Sequence, residues 1–267
     1  MMSVNRFVLC AALAVALAGT GACGGNGADD VAYSVSADKN YQKGMDALED
    51  EDWLAAVKYF TFIKARFPYS RFAALSELRL ADAELGAGQH VEAIDDYKMF
   101  IKLHPTHEMV TNGYANYRIA ATYIEMLPSD FWLLPPSYEK DQSATSDAHR
   151  ELSAFLRKFP DSKYAAKAKK LLRTVNRRLA AHEWYVANFY WERDNPMGTV
   201  LRLRRLLSQH GGVGYDARAL WLLGRAYRDV DMPERARAAF ARLVKEHPDD
   251  DNAEDAREAM SALAKSH

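Results

Sequence analysis

The chain has 267 residues, is 49% apolar and carries a formal net charge of −1. This composition is ordinary for a globular protein, excludes a disordered chain, and suits one large domain or a repeat array. Two cysteines in 267 residues exclude a disulfide framework.

The N-terminus carries one early cation, Arg6, followed by an unbroken apolar run over residues 7–18. Twelve residues span about 18 Å as a helix, too short for a bilayer core of about 30 Å. A charged start, a short apolar run and small residues after it read as a secretory leader over 1–22. Thr20-Gly21-Ala22-Cys23 resembles a bacterial lipobox, with Thr20 where Leu is usual. Such a signal places a lipid on the Cys23 thiol and leaves that cysteine first in the mature chain. Cys10 falls inside the leader, so Cys23 keeps no partner for an internal disulfide. Residues 23–37 read as a lipidated flexible tether, small and polar in composition.

Beyond the tether, apolar residues recur at helical spacing, as in Ala55, Tyr59, Phe62, Ile63 and Phe67. A closing phrase returns four times: "KARFPYS", "IKLHPTH", "LRKFPDS" and "VKEHPDD". Each ends an amphipathic helix with an aromatic or His, then Pro, then a residue able to start the next helix. Pro68 and Pro105 stand 37 residues apart, Pro105 and Pro160 55 apart, and Pro160 and Pro248 88 apart. A period in the mid-thirties with two helices per unit is the tetratricopeptide (TPR) signature. Small residues fall where paired helices approach, at Gly44/Ala56, Ala81/Ala93 and Gly224/Ala236. The expected fold is all-α: a right-handed superhelix of about five TPR helix pairs over 38–68, 70–105, 108–160, 162–211 and 214–248. A cap helix over 250–264 gives the array a polar end. The expected segments are an N-terminal TPR groove over 38–127, an insert loop over 128–143, and a C-terminal array over 144–267. That last array opens on a long linking helix from Lys163 to about Arg193.

Charge is uneven along this array. Residues 140–210 hold 15 basic and 7 acidic side chains, a net of +8. In an exported chain this section suits an acidic protein surface or anionic head groups, and nucleic acid is not an expected partner. No phosphate loop, nucleophile elbow or HExxH motif is present. His104, His107 and Glu108 fall in a repeat-closing turn and read as packing and capping, and His182-Glu183 lacks a second His at helical spacing. No catalytic residue, metal or cofactor is expected, apart from the covalent lipid on Cys23. A solenoid of this kind is a binding surface.

Several ordered stretches carry a more specific likeness: "RFPYS", "AIDDYKMFIKLHPTH", "EKDQS", "LRKFPDSKYAAKA" and "LAAHEWYVANFYWER". Together they resemble the BamD (ComL) family, lipoproteins of the outer-membrane β-barrel assembly machinery. The likeness covers roughly residues 41–247, and it departs from the family at "DNPMG" (194–198) and "QHGGVGY" (209–215). The resemblance implies a non-enzymatic scaffold, lipid-anchored to the periplasmic face of the outer membrane. Its implied partners are the periplasmic domains of the barrel-forming assembly protein, other assembly lipoproteins, and unfolded outer-membrane proteins. It implies partner contacts at Arg202, Arg193 and Glu183, and a client-peptide groove with Phe67 and Tyr69 at its mouth. A periplasmic TPR adaptor for cell-wall or division proteins is the alternative that the same fold and anchor would serve.

Overall fold

The structure is a computed structural model, and it describes residues 31–127 and 136–265. The leader, Cys23 and the first half of the insert lie outside the described residues.

Among the described residues there are twelve α-helices, one 3-10 turn and no strand. The first pair is α1 (Ala37–Glu49) and α2 (Trp53–Arg66), the second α3 (Arg71–Gly86) and α4 (His90–Leu103). A one-turn α5 (Glu108–Thr111) precedes the third pair, α6 (Tyr114–Glu125) and α7 (Ser143–Lys158), with the 3-10 turn (Ser137–Glu139) between them. The fourth pair is α8 (Ala165–Trp191) and α9 (Pro196–Gln209), the fifth α10 (Asp216–Asp229) and α11 (Pro233–Glu246). Helix α12 (Ala253–Lys265) packs on α11 as a cap. The chain is an all-α array of TPR-like helix pairs, as its periodicity indicates.

The first, second and fifth pairs each close around one ring. Gly44 faces Phe60, and a Cβ on that glycine would stand 2.7 Å from the ring. Gly224 faces Phe240 at 2.3 Å by the same measure. Ala81 and Tyr97 hold the same sixteen-residue offset in the second pair, both fully buried. Small residues in the first helix thus admit an aromatic from the second, which fixes how closely the helices pack.

The turns inside pairs are also shared. Glu51, Gly88, Asp194 and Asp231 all take positive φ, at 58°, 76°, 52° and 55°. The next residue then returns its N–H to a carbonyl five residues back, as in Asn195 to Tyr190 at 3.0 Å. "DNPMG" keeps this geometry: Asp194 takes the left-handed position, and Asn195 caps Gly198 N–H at 2.9 Å. Pro196 then opens α9. The sequence departure leaves the turn itself unaltered.

The tether is shorter than its composition suggests. Tyr33 stacks on Phe62 with centroids 4.1 Å apart. Buried Asn40 accepts from Ser34 N–H at 2.7 Å and donates to the carbonyls of Ser34 and Ser36 at 2.8 and 2.9 Å. Residues 33–36 are therefore fastened to the first pair, because Asn40 supplies backbone partners that water would otherwise provide.

Helix α8 is the one long element. At about 1.5 Å per residue its 27 residues run about 40 Å. Its early turns place Ala168, Val175 and Leu179 in a core with α6 and α7. Its later turns place Ala180 and Ala187 in the core of the last two pairs.

Candidate functional site

The basic section converges on one carboxylate. Glu183 lies in the middle of α8 and is only 4% exposed. Arg202 Nη1 and Arg205 Nε, from the facing helix α9, each stand 3.3 Å from one of its oxygens. Two guanidiniums on one buried carboxylate leave a net positive charge at the surface, with Arg202 one-third and Arg205 about half exposed.

These arginines divide two clefts. One, of about 410 Å³, is lined by Gln142, His149, His182, Gln209 and His210. His210 is pushed down to about 4 by burial first, then by His149 and Arg205, so it is neutral behind the arginines. The other, of about 520 Å³, has Tyr190, Met197 and Leu201 on its walls. Met197 and Leu201 are exposed apolar side chains, as are Tyr185 and Phe189 on α8. A cationic pair beside an apolar shelf is suited to a partner that offers a carboxylate amid apolar residues.

The end of the insert is tied to this site. His182 Nδ1 lies 2.6 Å from the Tyr138 carbonyl. Buried Gln142 donates to the carbonyls of Ser137 and Lys140, both at 2.7 Å, and accepts from Thr145 at 3.0 Å. The "EKDQS" stretch is thus a loop held in place against α8 by side-chain hydrogen bonds.

The expected site residues separate. Arg202 and Glu183 meet: the nearly buried Glu183 holds both Arg202 and Arg205 and lines the cleft between them. Arg193 stands apart: its guanidinium lies 3.6 Å from the Phe189 ring centroid and donates to the Phe189 carbonyl at 3.3 Å. Phe67 caps α2 with its ring against Phe62 at 5.9 Å, half-buried against the first-pair core. Tyr69, two residues on, is fully exposed. His104 pairs with Glu77 at 2.8 Å, and His107 caps α5 by accepting from Met109 N–H.

One cluster has no counterpart among the sequence expectations. Asp82 on α3 is 9% exposed. It accepts from Tyr97 of α4 at 2.5 Å, Tyr114 of α6 at 2.7 Å and Arg79 at 2.7 Å, with Arg118 of α6 at 3.3 Å. Arg118 Nε also donates to the Tyr97 hydroxyl at 3.0 Å. Burial and the Asp82 charge raise both tyrosines above their usual range, so they stay protonated and donate. The available signal was an Asp directly after Ala81 on an apolar helix, with Tyr where other pairs have Phe.

With this geometry in place, the chain can be compared with known proteins. The profile of a family described as outer membrane lipoprotein (YfiO) matches residues 34–239. The chain belongs to this family. Proteins called outer membrane protein assembly factor BamD are among its relatives. The one from Caulobacter vibrioides is 28% identical over 210 residues, covering 79% of this chain and 66% of that protein. The one from Neisseria gonorrhoeae is 26% identical over 242 residues, covering 87% and 88%. A TPR repeats protein from Bacteroides fragilis superposes with a TM-score of 0.48 at 11% identity, covering 88% of this chain and all of that one. The YfiO match runs from before α1 into the middle of α11, and both the Glu183 and the Asp82 clusters lie within it.

Proposed function

We propose that the protein is a non-enzymatic scaffold of outer-membrane β-barrel protein assembly, held to the periplasmic face of the outer membrane by a lipid on Cys23. The match to the outer-membrane lipoprotein family over residues 34–239 carries this reading, and assembly-factor relatives along most of the chain support it. Among the described residues no helix is long and apolar enough to cross a membrane. An anchor would therefore come from the N-terminal segment.

In this reading the α8–α9 surface binds the periplasmic domains of the barrel-forming assembly protein. Arg202 and Arg205 meet a partner carboxylate, and Met197 and Leu201 supply apolar contact beside it. Glu183 keeps the two guanidiniums ordered, so less side-chain entropy is lost on binding. The first two pairs receive unfolded outer-membrane proteins.

Co-purification tests this directly. Arg202→Glu should weaken the complex with the barrel-forming protein by about 2–5 kcal/mol if the contact is buried. Capture of a murein hydrolase or synthase by the wild type in place of that partner would refute the reading. The anchor is tested separately: Cys23→Ala should leave the protein soluble and folded, and its retention in the outer-membrane fraction would exclude the lipid role.

A further inference from the structure

The second and fourth pairs carry the same exposed face with opposite charge. Their second helices, α4 and α9, are both 14 residues long, and each follows a left-handed turn residue, Gly88 or Asp194. Matched from that turn, Glu77 takes the place of Glu183, His104 that of His210, and Asp96 that of Arg202. In the fourth pair two arginines meet the glutamate. In the second pair His104 meets it, at 2.8 Å, and Asp96 stands on the helix edge that Arg202 occupies in α9.

That edge of α4 is short of positive charge. Lys64 of α2 reaches Asp96 only at 3.9 Å, and Glu92 and Asp95 pair with no cation among the described residues. Glu84 of α3 holds a buried oxygen without a hydrogen-bond partner among them. Burial, with Glu77 beside it, raises Asp96 above the usual carboxylate range although Lys64 is near. A cation delivered from outside would favour all of these charges. Beside the acidic edge runs an apolar ridge: Met99 and Leu103 are exposed, as Met197 and Leu201 are on α9. Each face therefore offers what the other lacks.

We infer that α4 of a second copy of this chain docks antiparallel on α9 and delivers its Asp96 carboxylate to Arg202 and Arg205. Laid antiparallel with their ends level, the two helices bring Asp96 opposite Arg202 at mid-length, Met99 opposite Leu201, and Leu103 opposite Met197. Asp95 then stands across from Arg204, and no cation lies directly opposite another. Parallel packing reverses the edges and sets Lys98 against Arg202. The contact is small, so it is weak and salt-dependent. Its consequence rests on the reading that α9 receives the barrel-forming assembly protein: the self-contact covers that site, and the partner must displace it.

Sedimentation velocity over a concentration series tests it, on the full mature chain carrying Cys23→Ala. Reversible self-association should appear, and weaken severalfold between about 0.05 and about 0.5 M salt. Asp95→Lys with Asp96→Lys should weaken it about tenfold, as should Arg202→Glu with Arg205→Glu. Mixing these two double variants should restore association, because each then meets the opposite charge. Leu201→Asp, at an exposed position, guards against unfolding of the fourth pair by loss of both arginines, and it should weaken association too. A wild type that stays monomeric overturns the inference, and so does association that none of these variants changes. A monomer whose capture of the assembly protein's periplasmic domains falls with Asp95→Lys and Asp96→Lys would give α4 to that partner and also overturn it. Those domains separate the two readings. Binding through Arg202 to a chain that never self-associates keeps the partner reading and sinks the self-contact. Self-association without capture of the domains does the reverse, and displacement of one by the other supports both.

Discussion

Tyr97 occupies the ring position that Phe60 and Phe240 fill in the first and fifth pairs, and its hydroxyl changes what that position does. The ring packs against Ala81 as the others pack against glycine, while the oxygen reaches Asp82 at 2.5 Å. Tyr97→Phe keeps the packing and removes one hydrogen bond to a buried charge, with an expected cost of about 1.5–3 kcal/mol in urea unfolding. Asp82→Ala strands two arginines and should cost about 3–5 kcal/mol. Two other groups, the half-buried Glu84 and the buried His210, act against each other with pH. Glu84 is raised to about 7, first by burial and then by Asp96, so the folded state takes up its proton before the unfolded chain does. It therefore removes stability as pH rises from about 4.5 to 7. His210, lowered to about 4, does the reverse, and its contribution is lost as pH falls from about 6.5 to 4. Glu84→Gln should match wild type at pH near 4.5 and exceed it at pH 8 in thermal melts. An unchanged pH slope would show that Glu84 is not the group responsible. None of these pairings was legible beforehand, because periodicity reports which face a residue occupies and says nothing about what meets it there. Arg202 and Glu183 were singled out by resemblance, whereas Arg205, one turn after Arg202, was missed for want of any such signal.

At the scale of elements the sequence was far more readable, for a physical reason. Proline ends four of the five pairs by local sterics alone, so Pro68, Pro105, Pro160 and Pro248 mark boundaries that tertiary contacts cannot move. The small-residue positions were legible in the same way, although their partner is the ring sixteen residues on, more than the alanine twelve residues on. Gly224→Ala tests this, because its new Cβ would lie 2.3 Å from Phe240. The fully buried ring cannot swing aside, so an overpacking cost of about 1–3 kcal/mol is expected in urea unfolding. Gly88→Ala meets no atom within 4 Å but needs φ of 76°, and should cost only the strain of that turn. What composition could not show was the order of residues 33–36 and of the insert's end. Both are polar stretches that look like loops until Asn40, Gln142 and His182 satisfy their backbone groups.

Across the whole molecule, stability in a helix-pair array is set by neighbours, so a defect should spread only as far as the helices it touches. Helix α8 is the exception, because one unbroken element contributes to the core on both sides of it: Val175 and Leu179 toward α6 and α7, Ala180 and Ala187 toward α9, α10 and α11. It couples the packing of the third pair to that of the last two. Ala180→Pro would remove a hydrogen bond at the junction and set a proline ring against the preceding turn, at an expected cost of about 3 kcal/mol or more. Hydrogen exchange should show the break as faster exchange in α7 through α11, with α1 to α4 near wild-type protection. Gly224→Ala, placed in the last pair, should instead loosen α10 to α12 and leave α7 protected. If both variants lowered protection uniformly from α1 to α12, the array would be a single cooperative unit, and α8 would hold no special place in it.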